Sequence, residues 1–108
     1  MSDAIVVFIT AGNADEARRI AGHLIEAELA ACVQILPEME SVYRWNGEVQ
    51  REKELLILVK TTDEKFAALE KSVRAIHSYE TPEIVAVPAS QISEPYRRWL
   101  IENIRTGR

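Results

Sequence analysis

The pair Asn46-Gly47 is the feature that most constrains how this chain folds. It separates two strand-like stretches, residues 32–45 (CVQILPEMESVYRW) and residues 48–61 (EVQREKELLILVKT). Both residue types tolerate the positive φ angles that a two-residue type I′ turn requires. Each arm is about 45 Å long at roughly 3.3 Å per residue, whereas a compact domain of this length is about 30–35 Å across. The sequence therefore predicts a long β-hairpin that extends past the body of the domain.

Two continuous apolar runs identify the central strands. Residues 4–10 (AIVVFIT) and residues 55–59 (LLILV) show no alternation with polar residues, which is typical of strands buried on both faces. Pro37 cannot donate to a strand ladder, so it predicts an edge position or a bulge. Residues 83–88 (EIVAVP) predict a short fourth strand, and Pro88 favours an edge for it as well.

Three amphipathic helices are indicated by apolar residues spaced three and four apart. The first is predicted to begin at Asn13 as N-cap with Glu16 answering it, the second after a Thr61–Glu64 capping box, and the third at Ser93. The second is expected to end near His77. Their apolar stripes are Ala17, Ile20, Ala21, Leu24, Ile25 and Leu29; Phe66, Leu69, Val73 and Ile76; and Tyr96, Trp99, Leu100 and Ile104.

The resulting order, β-α-β-β-α-β plus a C-terminal helix, predicts an α+β fold with a ferredoxin-like βαββαβ antiparallel sheet. Strands one and three are expected in the centre, and two and four at the edges. Both crossover helices cover the same face, yet the central strands look buried on both, so a second copy of the chain is expected on the other face. The hairpin supports this, because its apolar residues are too many for an exposed edge: Met39, Val42, Tyr43, Trp45 and Val49.

Size and charge narrow the class of protein. With 108 residues, 47% of them apolar, the chain is expected to form one domain. A net charge of −4 argues against nucleic-acid binding, and the cluster of Arg97, Arg98, Arg105 and Arg108 is interpreted as a solvated helix face. The start, MSDAIVVFIT, lacks a basic segment and a long apolar one, so a cytoplasmic protein without a membrane segment is predicted. One cysteine, Cys32, agrees with a reducing compartment.

Five stretches in this order and spacing resemble the CutA family of divalent-cation tolerance proteins: LAACVQILP, SVYRWNGEV, ELLILVKTT, HSYETPEIVAVP and YRRWL. The resemblance covers nearly the whole chain. It implies a ferredoxin-like protomer in a tight homotrimer, similar in architecture to PII signalling proteins, in which long hairpins join the subunits. It also implies a role in tolerance to copper and other divalent ions, with no obligatory cofactor and at most weak binding of Cu²⁺ or another divalent cation.

His77, Cys32 and Glu83 are the candidate metal ligands. A neutral imidazole suits Cu(II) or Zn(II), and Glu83 or Glu80 adds oxygen ligands. The favoured alternative is that His77 caps the second helix, with its ring bonded to a carbonyl of the last helical turn. Cys32 is a possible thiolate ligand or a small buried hydrophobe. Some relatives that look copper-binding carry a cysteine and a second histidine where this chain has Ile9 and Ile76.

A second candidate site consists of polar and aromatic residues at strand ends and along the hairpin: Tyr43, Trp45, Lys60, Tyr79 and Glu83. In a PII-like trimer such positions meet at clefts between subunits, and Lys60 opposite Glu83 is a possible ion pair beside a ligand. Cross-strand aromatic packing explains the same residues without a ligand.

No nucleophile-base pattern, GxSxG or glycine-rich phosphate loop occurs among the four glycines, so the chain is not expected to be an enzyme. Three functions compete: a homotrimer that binds divalent metal ions, a PII-like sensor that binds a small ligand between subunits, and a scaffold for a partner protein.

Overall fold

A computed structural model describes residues 3–104, so Arg105 and Arg108 of the predicted basic helix face lie outside the described residues. The elements are β1 (Ala4–Ala11), α1 (Ala14–Glu26), β2 (Cys32–Ile35), β3 (Met39–Trp45), β4 (Glu48–Thr62), a 3-10 turn (Asp63–Lys65), α2 (Phe66–Ile76), β5 (Ile84–Pro88) and α3 (Glu94–Glu102). The predicted α+β class is confirmed.

The sheet has the order β2-β4-β1-β5, and every pairing within it is antiparallel. The two strands with continuous apolar runs, β1 and β4, lie in the centre as predicted. β2 and β5 form the edges, which agrees with the two prolines near or within them. β3 pairs only with the first half of β4 and forms the hairpin.

The predicted second strand, residues 32–45, is two strands rather than one. Ile35 pairs with Ile57 and Met39 pairs with Glu54, so four steps along β2 and β3 match three steps along β4. One extra residue is therefore accommodated around Pro37, which is a bulge, the second of the two placements that its missing N–H allowed. β4 itself continues without a break.

The hairpin turn has the geometry that its sequence predicts. Asn46 has a φ of 52° and Gly47 a φ of 80°, and the two flanking strands pair from Trp45 with Glu48 to Met39 with Glu54. The molecule measures 46 × 26 × 23 Å. The long axis agrees with a hairpin that extends past the domain body.

The core lies between one face of the sheet and the helices α1 and α2. Side chains at alternate positions of the two central strands, including Val7 and Ile9 on β1 and Ile57 and Val59 on β4, are 0% exposed. The helices contribute residues spaced three or four apart, all of them fully buried: Ile20, Leu24, Leu69 and Val73. Apolar stripes of period two and period 3.6 meet here, as the sequence pattern predicts.

Two helix starts differ from the capping pattern. Asn13 caps α1, since its side chain accepts a hydrogen bond of 2.8 Å from Glu16 N–H, but the Glu16 carboxylate turns inward and binds Ser78 instead of answering the cap. The capping box at Thr61 is wrong: β4 continues through Thr62, and the Thr61 hydroxyl donates to the Leu29 carbonyl at 2.8 Å. α2 begins instead after the 3-10 turn.

The second face of the sheet is only partly covered. α3 packs over one end, where Leu100 and Ile104 are buried with Ala4. Tyr96 and Trp99 of the same predicted stripe stay exposed, so only part of the apolar face of α3 is buried against the sheet. The central strands are half-buried on this side, and Val85 of β5 is 51% exposed. A single chain thus leaves apolar sheet surface open.

Candidate functional site

A cleft lies between the hairpin strands β3 and β4 and the segment that connects α2 to β5. Its volume is about 570 Å³. The lining residues are Thr10, Ser41, Val42, Tyr43, Trp45, Glu54, Tyr79, Glu80, Thr81 and Glu83. Four of the five residues predicted for a ligand cleft, all except Lys60, are therefore brought together at one place within residues 3–104.

Tyr79 connects the two sides of the cleft. Its hydroxyl donates a hydrogen bond of 2.8 Å to Glu54 Oε2, and Glu54 is a buried residue of β4. Burial, followed by the hydrogen bond and charge of Glu54, raises the pKa of Tyr79 well above its usual value. The phenol therefore stays protonated at neutral pH and keeps donating, which holds the segment after α2 against the hairpin.

His77 lies behind the cleft and orders this segment. Its side chain is fully buried, and Nε2 lies 2.7 Å from the Thr10 carbonyl, which can only accept, so Nε2 carries the proton. Nδ1 then accepts the Tyr79 backbone N–H at 3.0 Å. The ring bonds a β1 carbonyl rather than one in the last turn of α2, so that part of the capping interpretation is wrong. Both ring nitrogens already have protein partners.

Glu16 supports the same joint from α1. Its buried carboxylate accepts the Ser78 N–H at 2.6 Å and the Ser78 hydroxyl at 3.0 Å, and it lies 3.5 Å from Nδ1 of His77. Burial raises the pKa of Glu16, but the hydrogen bonds from Ser78 and from the Gly12 N–H outweigh burial and lower it below 4.5. The end of β1, the start of α1 and the end of α2 are thus joined through polar groups that are all paired.

Lys60 and Cys32 lie elsewhere on the sheet. Lys60 pairs in register with Cys32 on one side and with Val6 on the other, while Ile84, next to Glu83, pairs with Ile9. Lys60 donates to the Gln34 side chain, and Lys60 and Glu83 do not pair within the described single chain. Half-buried Cys32 faces α3, where burial and the Cys32 thiol raise the pKa of Tyr96.

The three candidate metal ligands are separated in the single chain. Glu83 lines the cleft, His77 is buried behind it, and Cys32 lies at the β2 edge towards the other end of the strands. Within residues 3–104, no group of three His, Cys, Asp or Glu side chains has a geometry that holds a metal ion. Metal binding through these residues stays a prediction.

Four lining residues were missed from the sequence, namely Thr10, Ser41, Glu54 and Thr81. Val42 had been considered only as hairpin surface and Glu80 only as a metal ligand. Glu54 is the most informative of them, because the polar first half of β4 looks like a solvated arm. The hairpin turn could have revealed the position of Glu54. Counting back from Asn46-Gly47 pairs Tyr43 with Gln50. Glu52 and Glu54, two and four residues after Gln50, therefore share the hairpin face of Tyr43.

The fold and the cleft together define a ferredoxin-like α+β protein with a long β-hairpin. A family model described as "CutA1 divalent ion tolerance protein" matches residues 5–103, and the chain belongs to this family. It is 50% identical over 98 residues to the divalent-cation tolerance protein CutA of Thermus thermophilus, covering 91% of this chain and 95% of that relative. A chloroplastic CutA of Arabidopsis thaliana is 38% identical over 94% of this chain, which spans only 56% of that longer relative.

Solved structures agree with the family assignment. CutA1 from Oryza sativa superposes with a TM-score of 0.93 at 40% identity, covering 96% of this chain and 95% of that one. The periplasmic divalent cation tolerance protein CutA from Archaeoglobus fulgidus superposes with a TM-score of 0.92 at 38% identity, covering 94% and 99%. In the part of this chain that the structure describes, no helix has the length and apolarity to cross a membrane.

Proposed function

We propose that this protein acts in divalent-cation tolerance as a cytoplasmic homotrimer whose hairpin cleft binds a small ligand. The observation that supports this most is the convergence of Tyr43, Trp45, Tyr79 and Glu83 on one cleft of about 570 Å³. Small-molecule sites are typically concave, with aromatic walls and a few polar groups, and this cleft has that composition. Its role is binding rather than catalysis.

Self-association is supported by apolar surface that the single chain leaves open. On the hairpin, Val42, Trp45 and Val49 are each more than half exposed, and Val85 and Val87 are exposed on the second face of the sheet. Patches of this kind on a strand edge mark interfaces. The family resemblance supplies the number three, and a trimer contact along the hairpin would place a second subunit beside the cleft.

The oligomer is tested by the mass of the full chain in dilute buffer, measured by light scattering. We expect three copies for the unaltered protein and a smaller mass for Val49→Lys, which puts a charge on the exposed hairpin. Glu26→Lys is the control, since it puts the same charged side chain at an exposed position of α1 outside the hairpin. A single-copy mass for the unaltered protein contradicts the proposal.

The cleft is tested by melting curves across a set of small metabolites. We expect at least one to raise the melting temperature, and Trp45→Ala to abolish that shift. Trp99→Ala, at an exposed tryptophan of α3 away from the cleft, is the matched control and should leave the shift intact. If no metabolite or metal ion changes the melting curve, the scaffold function is favoured and ligand binding is contradicted.

A divalent metal ion is the second candidate ligand. The carboxylates of Glu80 and Glu83 both line the cleft and are exposed, so they can supply oxygen ligands for weak binding. His77 can join them only by giving up the Tyr79 N–H. Calorimetric titration with Cu²⁺ of the unaltered protein, His77→Ala, Cys32→Ser and Glu83→Gln separates these ligands, and equal isotherms for a variant remove that residue from the site.

A further inference from the structure

The charges around the cleft are of one sign. Three carboxylates line it, those of Glu54, Glu80 and Glu83, and none of its lining residues is Lys or Arg. Glu54 is engaged by the Tyr79 hydroxyl, while Glu80 and Glu83 are exposed at the rim. A ligand in this cleft meets negative charge without a compensating cation from the described chain.

The hairpin register explains how the basic residues are kept away. Side chains at alternate positions share a face, so the face with Tyr43 and Trp45 also carries Glu48, Glu52 and Glu54 of β4. Arg44, Arg51 and Lys53 fall on the opposite face. Arg44 donates to the Gly47 carbonyl, and Arg51 lies 3.9 Å from Glu40, so two of these cations are engaged on that face.

The field of these carboxylates reaches the aromatic side chains. Partial burial and the charges of Glu52 and Glu54 raise the pKa of Tyr43, and Glu54 contributes to the raised pKa of Tyr79. Both phenols are therefore neutral in the cleft at physiological pH. Neutral aromatic rings next to carboxylates attract a positive charge, because the ring face is electron-rich.

We propose that the hairpin cleft selects a small organic cation, an ammonium group carried on an apolar body. This inference deepens the proposed function and depends on the cleft binding a ligand at all. Trp45, Tyr43 and Tyr79 offer three partly exposed rings for the body and for cation–π contact, and Glu80 and Glu83 face the charge at the rim. A bare metal ion has no apolar body to pack against the rings, and an anion is repelled by the carboxylates.

Three probes of one shape test the charge preference: benzyltrimethylammonium, benzyl alcohol and benzoate. Binding is followed by Trp45 fluorescence in the full-length Trp99→Phe protein, which leaves Trp45 as the single tryptophan. We expect the cation to bind about tenfold tighter than the alcohol, with benzoate weakest. Added salt should weaken the cation and leave the alcohol unchanged.

Glu80→Gln with Glu83→Gln should lower the affinity for the cation about tenfold and leave benzyl alcohol unaffected. Glu26→Gln with Glu102→Gln changes the net charge equally at two exposed positions outside the cleft, and should alter neither affinity. Equal or tighter binding of the alcohol or benzoate, or no binding of the cation, overturns the inference. The cleft itself still stands in those cases if any metabolite gives a melting shift that Trp45→Ala removes.

Discussion

The two halves of β4 show how differently one strand can be used. In the sheet, Ile57 and Val59 are 0% exposed and have neighbours on both sides, from β1 and β2. In the hairpin, Val49 is 58% exposed, and β4 has β3 as its one partner there. The core face of the sheet half is covered by the helices of its own chain, whereas the hairpin half has no such cover within the described residues and leaves apolar surface for another molecule. The cleft lies where the two halves join.

The largest expected effect is in the sheet half. Ile57→Ala removes a fully buried side chain from the core and should lower the free energy of unfolding by about 2–5 kcal/mol. Val49→Ala, on the same strand, should lower it by less than about 1 kcal/mol. Chemical denaturation at one protein concentration measures both. Equal losses in the free energy of unfolding would contradict the difference between the two halves of β4, since they would mean that Val49 is as buried in solution as Ile57.

Glu16→Gln tests the joint behind the cleft. It replaces a buried, charge-assisted acceptor of two Ser78 hydrogen bonds and should lower the free energy of unfolding by about 1–3 kcal/mol at pH 7. Because the folded pKa of Glu16 lies below 4.5, its contribution is complete above that pH and is lost as the pH falls through the lower folded value.

Melting curves from pH 7 down to pH 3 measure this dependence. The unaltered protein should lose more stability over that acid range than Glu16→Gln does. Glu26→Gln, an exposed residue of the same helix, should follow the unaltered protein. If Glu16→Gln and the unaltered protein decline in parallel, the carboxylate does not act as assigned.

Gly47→Ala tests the hairpin turn. An alanine at a φ of 80° should cost about 1–2 kcal/mol, although its Cβ meets no atom within 4 Å. Gly22→Ala in α1 also meets no atom, and it should instead stabilise the protein by up to about 1 kcal/mol through helix propensity. Thermal unfolding of both variants checks the signs. A loss of stability in both variants would contradict the explanation by backbone conformation.

The smallest effect is expected on the basic face of the hairpin. Arg51→Gln removes an exposed pair with Glu40 at 3.9 Å and should change the free energy of unfolding by less than about 0.5 kcal/mol. Val42 and Val49 lie on this same face, so a larger change that scales with protein concentration would show that Arg51 itself takes part in the subunit contact proposed for them. Denaturation at two protein concentrations and two salt concentrations distinguishes these results.

Most of the fold follows from patterns local to the sequence. Two apolar runs without alternation located the central strands, the Asn46-Gly47 pair located the turn, and Pro37 indicated either an edge position or a bulge. The break between β2 and β3 and the inward turn of Glu16 were not predicted, because both depend on residues distant in the chain. The Glu16 carboxylate does not answer the Asn13 cap, because it accepts two hydrogen bonds from Ser78, which is 62 residues away in the sequence.

The aromatic residues and Glu83 of the candidate site were recognised from the sequence, whereas Glu54 was not. Tyr43, Trp45, Tyr79 and Glu83 were recognised by residue type, but the position of Glu54 needs the hairpin register, and that of His77 needs the tertiary contact with Thr10. Within the single chain, Lys60 lies away from the cleft, because its strand register places it beside Cys32 and Val6. Residue type suggests chemistry, whereas a one-residue change in register decides which face carries it.

The bulge near Pro37 interrupts the partner strands and spares β4, which runs for 15 residues from the turn to Thr62. The distal end of the hairpin and the centre of the sheet are therefore parts of one continuous strand. A molecule bound beside the turn at Glu48 would contact the same strand that supplies Glu54 to the cleft.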